Sequence, residues 1–200
     1  MVHGACHGAW CLYKVLTLLR SEGYHVTALD MAAAGANPKR VEEVSSIFDY
    51  SQPLMDFMAA LPPEERVVLY QRQLDSYMDG QFIFGNGEDK PPPSLLFGPK
   101  FLPSQLYQLS PPEDLTLATL LVRPVGISGE AESSEAALSK ENHGLVRRAY
   151  VVCERDNTLK KGFQEWMIEK NPTDDVKMIS GADHMVMFSK SQQDFAEKYC

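Results

Sequence analysis

From Met1 to Leu69 short apolar runs alternate with amphipathic stretches, the pattern of strands alternating with the helices that cover them. Trp10 to Arg20 carries apolar groups at helical spacing and stops at Gly23, a residue suited to a helix C-cap. His25–Asp30 has the length and character of a short parallel strand, followed by a small-residue loop from Ala32 to Pro38. Asp49–Met58 predicts a helix with an acidic first turn, closed by Leu61-Pro62-Pro63, and Arg66–Leu69 predicts the next strand. There the rhythm lapses. Tyr70 to Pro112 contains Gly80, Gly85, Gly87, the run Pro91-Pro92-Pro93 and exposed-looking aromatics at Phe82, Phe84, Phe97, Phe101 and Tyr107, the composition of a lid. Pro111–Leu121 is again helical in pattern, whereas Gly126–Asn142, rich in Ser, Glu and Ala, predicts a mobile loop or weak helix. The first rhythm then returns: a strand at Arg148–Cys153, a helix at Lys161–Ile168, a strand at Asp175–Ile179 and a final helix at Ser189–Tyr199. The organisation expected is one α/β domain over residues 1–200, with a core of 1–69 and 145–200 and a lid of about 70–144.

Composition narrows the classes. At 200 residues a single domain can bury about 70% of the surface its unfolded chain exposes. Hydrophobic residues at 44% and charged residues at 23% are those of a globular protein. A net charge of -8 with no Lys/Arg block argues against a nucleic-acid partner. No stretch is apolar for long enough to span a membrane, and the start has neither a basic nor an apolar leader region. Cys6, Cys11, Cys153 and Cys200 lack metal-ligand spacing and predict buried free thiols in the cytoplasm, with no metal expected.

Candidate chemistry lies at the strand ends. His184, in Gly181-Ala182-Asp183-His184-Met185, follows one predicted strand, and Asp156 follows the strand before it. That order is how a Ser-His-Asp hydrolase supplies its base and the carboxylate that orients it, although Asp183 and Glu154 compete for the acid's role. Val2-His3-Gly4-Ala5 has the form of a strand end running into an oxyanion loop, where His3 and His7 fit loop hydrogen-bonders better than a second base. A Gly-x-Ser-x-Gly elbow for the nucleophile is absent. Gly126-Ile127-Ser128-Gly129 runs on into Glu130 without a preceding strand, and Ser76 has no flanking glycine to allow a strained turn.

The blocks Val2–Trp10, His25–Ala33, Tyr50–Leu54, Leu96–Leu102, Tyr107–Pro111, Leu121–Pro124 and Gly181–Met185 together resemble the plant methylesterase family, α/β-hydrolases that include the salicylate-binding esterase and the hydroxynitrile lyases. The resemblance covers nearly the whole chain apart from Gly126–His143. It implies an α/β-hydrolase fold, a mostly parallel sheet with a helical lid insertion. It implies His184 as general base, Asp156 as its acid, the Ala5 backbone N–H as an oxyanion donor, and Met185, Phe82, Phe97 and Tyr107 as walls of an apolar pocket. The implied reaction is hydrolysis of methyl esters of small hormone acids (methyl salicylate, methyl jasmonate or methyl indole-3-acetate) without cofactor or metal. The partner implied is a small ester or acid, with neither nucleic acid nor membrane, and a homodimer is allowed.

In this family the strand matching Val67-Val68-Leu69 runs into Gly-His-Ser-x-Gly-Gly and a helix; here Tyr70-Gln71-Arg72 follows, sequence of mid-lid character. Roughly fifty residues are missing against the elbow pattern, so one central strand, its elbow helix and the nucleophile are expected to be absent. The expectation is a methylesterase inactive as written. A non-catalytic binder of salicylate-like acids is the first alternative. A hydroxynitrile lyase is the second, disfavoured because that branch carries Thr at the place of Gly4 and Lys at the place of Met185.

Overall fold

The computed structural model describes residues 1–61, 78–83, 94–127 and 148–190. The predicted strand Arg66–Leu69, Phe84, Ser76, Ser128 and Cys200 lie outside them.

A 3-10 turn at Ala9–Leu12 leads into α1 (Tyr13–Ser21). Gly23 ends the helix as expected. At φ +88 its N–H donates to Arg20 O, and Tyr24 N–H donates to Leu19 O, so two of the last carbonyls are satisfied by a left-handed cap. The expected strand His25–Asp30 is reduced to one parallel bridge, Val2 to Leu29. The ladder cannot extend because the next N–H, that of Met31, donates to the His3 imidazole at 3.1 Å instead of to backbone. Helix α2 (Ile47–Ala59) begins two residues earlier than its pattern suggests, because the Ser46 hydroxyl caps it by accepting the Asp49 N–H at 3.0 Å.

The lid is not purely helical. It contains a three-stranded antiparallel sheet in the order β1 (Gln81–Ile83), β2 (Ser94–Leu96), β3 (Val125–Gly126), followed along the chain from β2 by a π-helical turn at Leu102–Leu106 and by α3 (Pro112–Leu121). Asp79 holds the approach to the π-helical turn by accepting the Lys100 and Phe101 N–H groups, both at 2.9 Å. Phe97, Phe101 and Tyr107 are buried, contrary to their exposed-looking pattern. They enter the main core with Cys6, Cys11 and Leu12 from the N-terminal loop and Met185 and Phe188 from the C-terminal one. Leu95, Leu102, Leu106 and Ala118 of the lid join the same cluster, and removing the aromatic surface from water favours this burial.

Strands β4 (Ala149–Cys153) and β5 (Asp175–Ile179) pair in parallel, from Ala149 opposite Asp175 to Cys153 opposite Ile179, joined through α4 (Lys161–Lys170). Gln164 of α4 is buried and locks the crossover. Its amide N–H donates to Cys153 O at 2.9 Å and to Leu159 O at 2.6 Å, and its oxygen accepts the Cys153 N–H at 3.0 Å. Gln164→Leu leaves the Cys153 N–H and the Leu159 carbonyl buried without these partners. Urea unfolding should register a loss of about 2–3 kcal/mol; a loss within about 0.5 kcal/mol, the usual range for surface substitutions, would contradict this role. A four-residue helix, α5 (Val186–Ser189), ends where the final helix was expected to start, with Lys190 extended. Residues beyond Lys190 lie outside those described. Among the described residues no helix is long and apolar enough to cross a membrane.

Candidate active site

The register of β4 against β5 sets two loops side by side at the carboxyl ends of the strands, where open α/β sheets place their ligands. Arg155 N–H donates to Ala182 O at 2.8 Å and ties the loops together. Across this junction His184 Nδ1 donates to Asp156 Oδ2 at 2.9 Å. A carboxylate only accepts, so the pair fixes the tautomer, with the proton on Nδ1 and Nε2 as the basic nitrogen. The other oxygen of Asp156 accepts the Thr158 and Leu159 N–H groups, each at 2.8 Å, so the carboxylate cannot swing away. The two competing acids are engaged elsewhere. Asp183 is fully buried and accepts from Leu109 N–H, Ser110 Oγ and Met185 N–H, and Glu154 accepts the Gly181 N–H at 2.9 Å.

Ala5 lies in a tight turn whose closing bond runs from His7 N–H to Gly4 O at 3.3 Å, with Cys6 in the left-handed region at φ +60. Among the described residues no acceptor takes the Ala5 N–H. The turn is braced from behind. Ala9 N–H and Ala36 N–H donate to Asp30, and the Arg123 guanidinium donates to the carbonyls of Gly35, Asn37 and Lys39 while its own N–H donates to Cys6 O. Gly8 and Gly35 meet so closely that a side-chain carbon on Gly8 would fall 2.4 Å from the Gly35 backbone.

Of the expected pocket residues, Met185, Phe97 and Tyr107 share one buried cluster. Phe82 is not part of it; it is 44% exposed on β1, opposite Leu95. Among the described residues no group of three or more His, Cys, Asp or Glu could hold a metal ion.

The depth of His7 was not legible in the sequence. The residue is 3% exposed, with Trp10 stacked on its ring at 5.3 Å, the near-parallel Tyr107 ring at 5.9 Å and Phe97 edge-on. Two histidines flanking one Gly-Ala turn, with an aromatic three residues on, were the available signal. Burial lowers His7 from its ordinary value to about 4, with the Ala5 carbonyl opposing the effect and the nearby imidazoles of His184 and His3 adding to it. Burial also raises the facing Tyr107 hydroxyl, which therefore remains a donor. The unfolded chain takes up a proton near pH 6.5 and the folded chain does not until about 4. Stability is therefore complete above pH 6.5 and falls as pH drops toward 4. Between pH 7 and pH 5 the loss attributable to His7 is about 2 kcal/mol. Melting curves at the two pH values should show the native chain losing more than His7→Gln; parallel losses would remove the effect.

No protein-family model matches the chain. It is 46% identical to methyl jasmonate esterase 1 of Vitis vinifera over 95% of this chain and 90% of that protein. That match runs over 236 aligned positions, whereas 95% of 200 residues is 190, so about 46 aligned positions have no residue here. Salicylic acid-binding protein 2 of Nicotiana tabacum is 34% identical over 96% of this chain and 92% of its own length. A variant of tomato methylketone synthase I, solved in complex with β-ketoheptanoate, is 38% identical with a TM-score of 0.88, covering 98% of this chain and 93% of that one.

Proposed function

The chain belongs to the plant methylesterase family of α/β-hydrolases, carboxylic ester hydrolases, and on that premise we propose that it carries the acid–base half of a hormone methylesterase without its nucleophile. The observation that carries the reading is the 2.9 Å hydrogen bond between His184 and a fixed Asp156, at the ends of two parallel strands. In an intact site the serine attacks the ester carbonyl, His184 takes its proton and returns it to the leaving methanol, and water then releases the acid. Asp156 keeps the imidazole in its productive tautomer, and Ala5 N–H receives the developing negative oxygen. Met185, Phe97 and Tyr107 supply an apolar wall for the acyl group. Methyl jasmonate is the first ester to test, given the name of the Vitis vinifera relative, with methyl salicylate and methyl indole-3-acetate after it.

The reading is supported by the number of aligned positions without a counterpart, about 46, which is close to the roughly fifty residues missing against the elbow pattern. No Gly-x-Ser-x-Gly sequence occurs anywhere in the chain. The proposal is tested by assaying these esters and p-nitrophenyl acetate. Absence of turnover is expected, and turnover abolished by a serine-directed fluorophosphonate would overturn it.

A second reading, a non-catalytic binder of small carboxylic acids, is favoured by the Ala5 N–H, which no acceptor takes among the described residues, and by the buried aromatic cluster that the next residue, Cys6, joins. Two relatives support it by what they hold: one named for salicylic acid and one solved with β-ketoheptanoate, itself a carboxylic acid. Calorimetric titration with salicylate gives saturable heat without hydrolysis if it holds, and no heat if it does not. The buried free thiols of Cys6 and Cys11, pushed up by burial to about 12, support the cytoplasm as the compartment.

A further inference from the structure

The two histidines of the N-terminal loop use their hydrogen bonds in the same way. His3 Nδ1 donates to Gly4 O at 2.8 Å, while its Nε2 accepts the Met31 N–H at 3.1 Å. His7 Nδ1 donates to Ala5 O at 2.8 Å, while its Nε2 accepts from the Tyr107 hydroxyl at 2.8 Å. A carbonyl can only accept, so each ring carries its single proton on Nδ1. Two successive carbonyls of the turn are thus held by imidazoles that are themselves anchored in distant parts of the fold, the 29–31 segment and the lid. Burial lowers both histidines, which keeps the rings neutral and the acceptor nitrogens available near neutral pH.

We propose that His3 and His7 are positioning residues that together hold the turn and so aim the Ala5 N–H at a carboxylate or carbonyl oxygen of the ligand, His3 through the peptide that bears that N–H and His7 through the next one. The geometry follows from the peptide plane. In a trans peptide the C=O and N–H point in opposite directions, so fixing Gly4 O by His3 and by the His7 N–H fixes the direction of the Ala5 N–H. His7 fixes the next peptide through Ala5 O, and this restrains Cys6 at the positive φ the turn requires. The Tyr107 hydroxyl links the clamp to the same aromatic wall that would contact the acyl group. The ligand class is a small carboxylic acid, or its ester, with an apolar body. This goes deeper into the acid-binding reading above and rests on it for the ligand only.

The test separates the two. Nitrogen-edited NMR of the native chain should show His7 protonated at Nδ1 and bare at Nε2, the reverse of the tautomer preferred by free histidine. His7→Asn keeps an N–H at the place of Nδ1 and should preserve the Ala5 amide resonance. His7→Gln keeps only the Tyr107 contact and should shift that resonance. Salicylate should move the Ala5 amide signal of the native chain, and its affinity should fall on the order of tenfold in His7→Gln, as expected for a hydrogen bond to a charged group, and be restored toward native in His7→Asn. An Nε2-protonated ring in the native chain, or an Ala5 resonance unmoved in a folded His7→Gln, overturns the clamp. Failure of salicylate to bind the native chain sinks the acid-binding reading, while the tautomer and the Ala5 resonance still decide the clamp.

Discussion

Purified chain incubated with methyl jasmonate should release acid more slowly than an intact member of its family by a factor on the order of 10⁶. The size of that gap follows from how the parts of a serine hydrolase work together. Base and nucleophile act as a unit, so the proposed loss of the hydroxyl would forfeit nearly the whole advantage even with His184 and Asp156 in their 2.9 Å contact. On the proposed roles, what is left is a general base to activate water and an N–H donor at Ala5, corresponding to the residual acceleration of roughly 10³–10⁴ over water that such sites retain. Two measurements check it. The hydrolysis rate is one, and the intact mass after treatment with a fluorophosphonate is the other, because an activated serine would carry a covalent adduct. An unchanged mass with a rate near background is the expected pair. A labelled serine, or a rate within tenfold of an intact relative, would show that another residue has taken the nucleophile's place.

The parts of this molecule that were legible in its sequence are those decided locally or by chain order. Strands β4 and β5 and helix α4 stand where their apolar runs place them, because each run is long enough to fix its own period. His184 and Asp156 were legible for another reason: a parallel pair places the loops after both strands on one edge, so order along the chain became proximity in space. The lid sheet was not legible, since strands as short as Gln81–Ile83 and Ser94–Leu96 carry too few residues for alternation to register. Burial of Phe97, Phe101 and Tyr107 was hidden because part of their cover comes from Cys6 to Leu12 and from Met185 to Phe188, at the far ends of the chain. His25–Asp30 failed as a strand for a related reason. Its pattern is strand-like, but a strand needs a backbone partner, and the neighbouring segment offers Met31 an imidazole instead. Gln164 resembles any polar residue on an amphipathic helix until the end of β4 is set against it.

Lys14→Met should destabilise the fold by about 3–5 kcal/mol, a larger loss than Gln164→Leu or the acid titration of His7 produces. Asp114 is 1% exposed on α3 and faces Lys14 Nζ of α1, with the Tyr13 hydroxyl donating at 3.1 Å. The ammonium also lies 5.4 Å from the Phe188 ring centre and 5.8 Å from that of Tyr13. One cation thus ties α1, α3 and α5 together behind the loop that carries His184. Removing it leaves a buried carboxylate with, among the described residues, the neutral Tyr13 hydroxyl as its side-chain donor, and the desolvation already incurred by Asp114 is no longer offset. The origin of the loss can be separated from lost packing, because methionine keeps most of the lysine's apolar stem over the rings. If the uncompensated charge is the cause, Lys14→Met combined with Asp114→Leu should recover most of the stability, since a well-packed apolar pair of similar volume is often neutral against a buried ion pair. Urea unfolding of the native chain, both single variants and the double variant closes the cycle. A double variant as unstable as Lys14→Met alone would show that the aromatic contacts, not the charge, hold the three helices together.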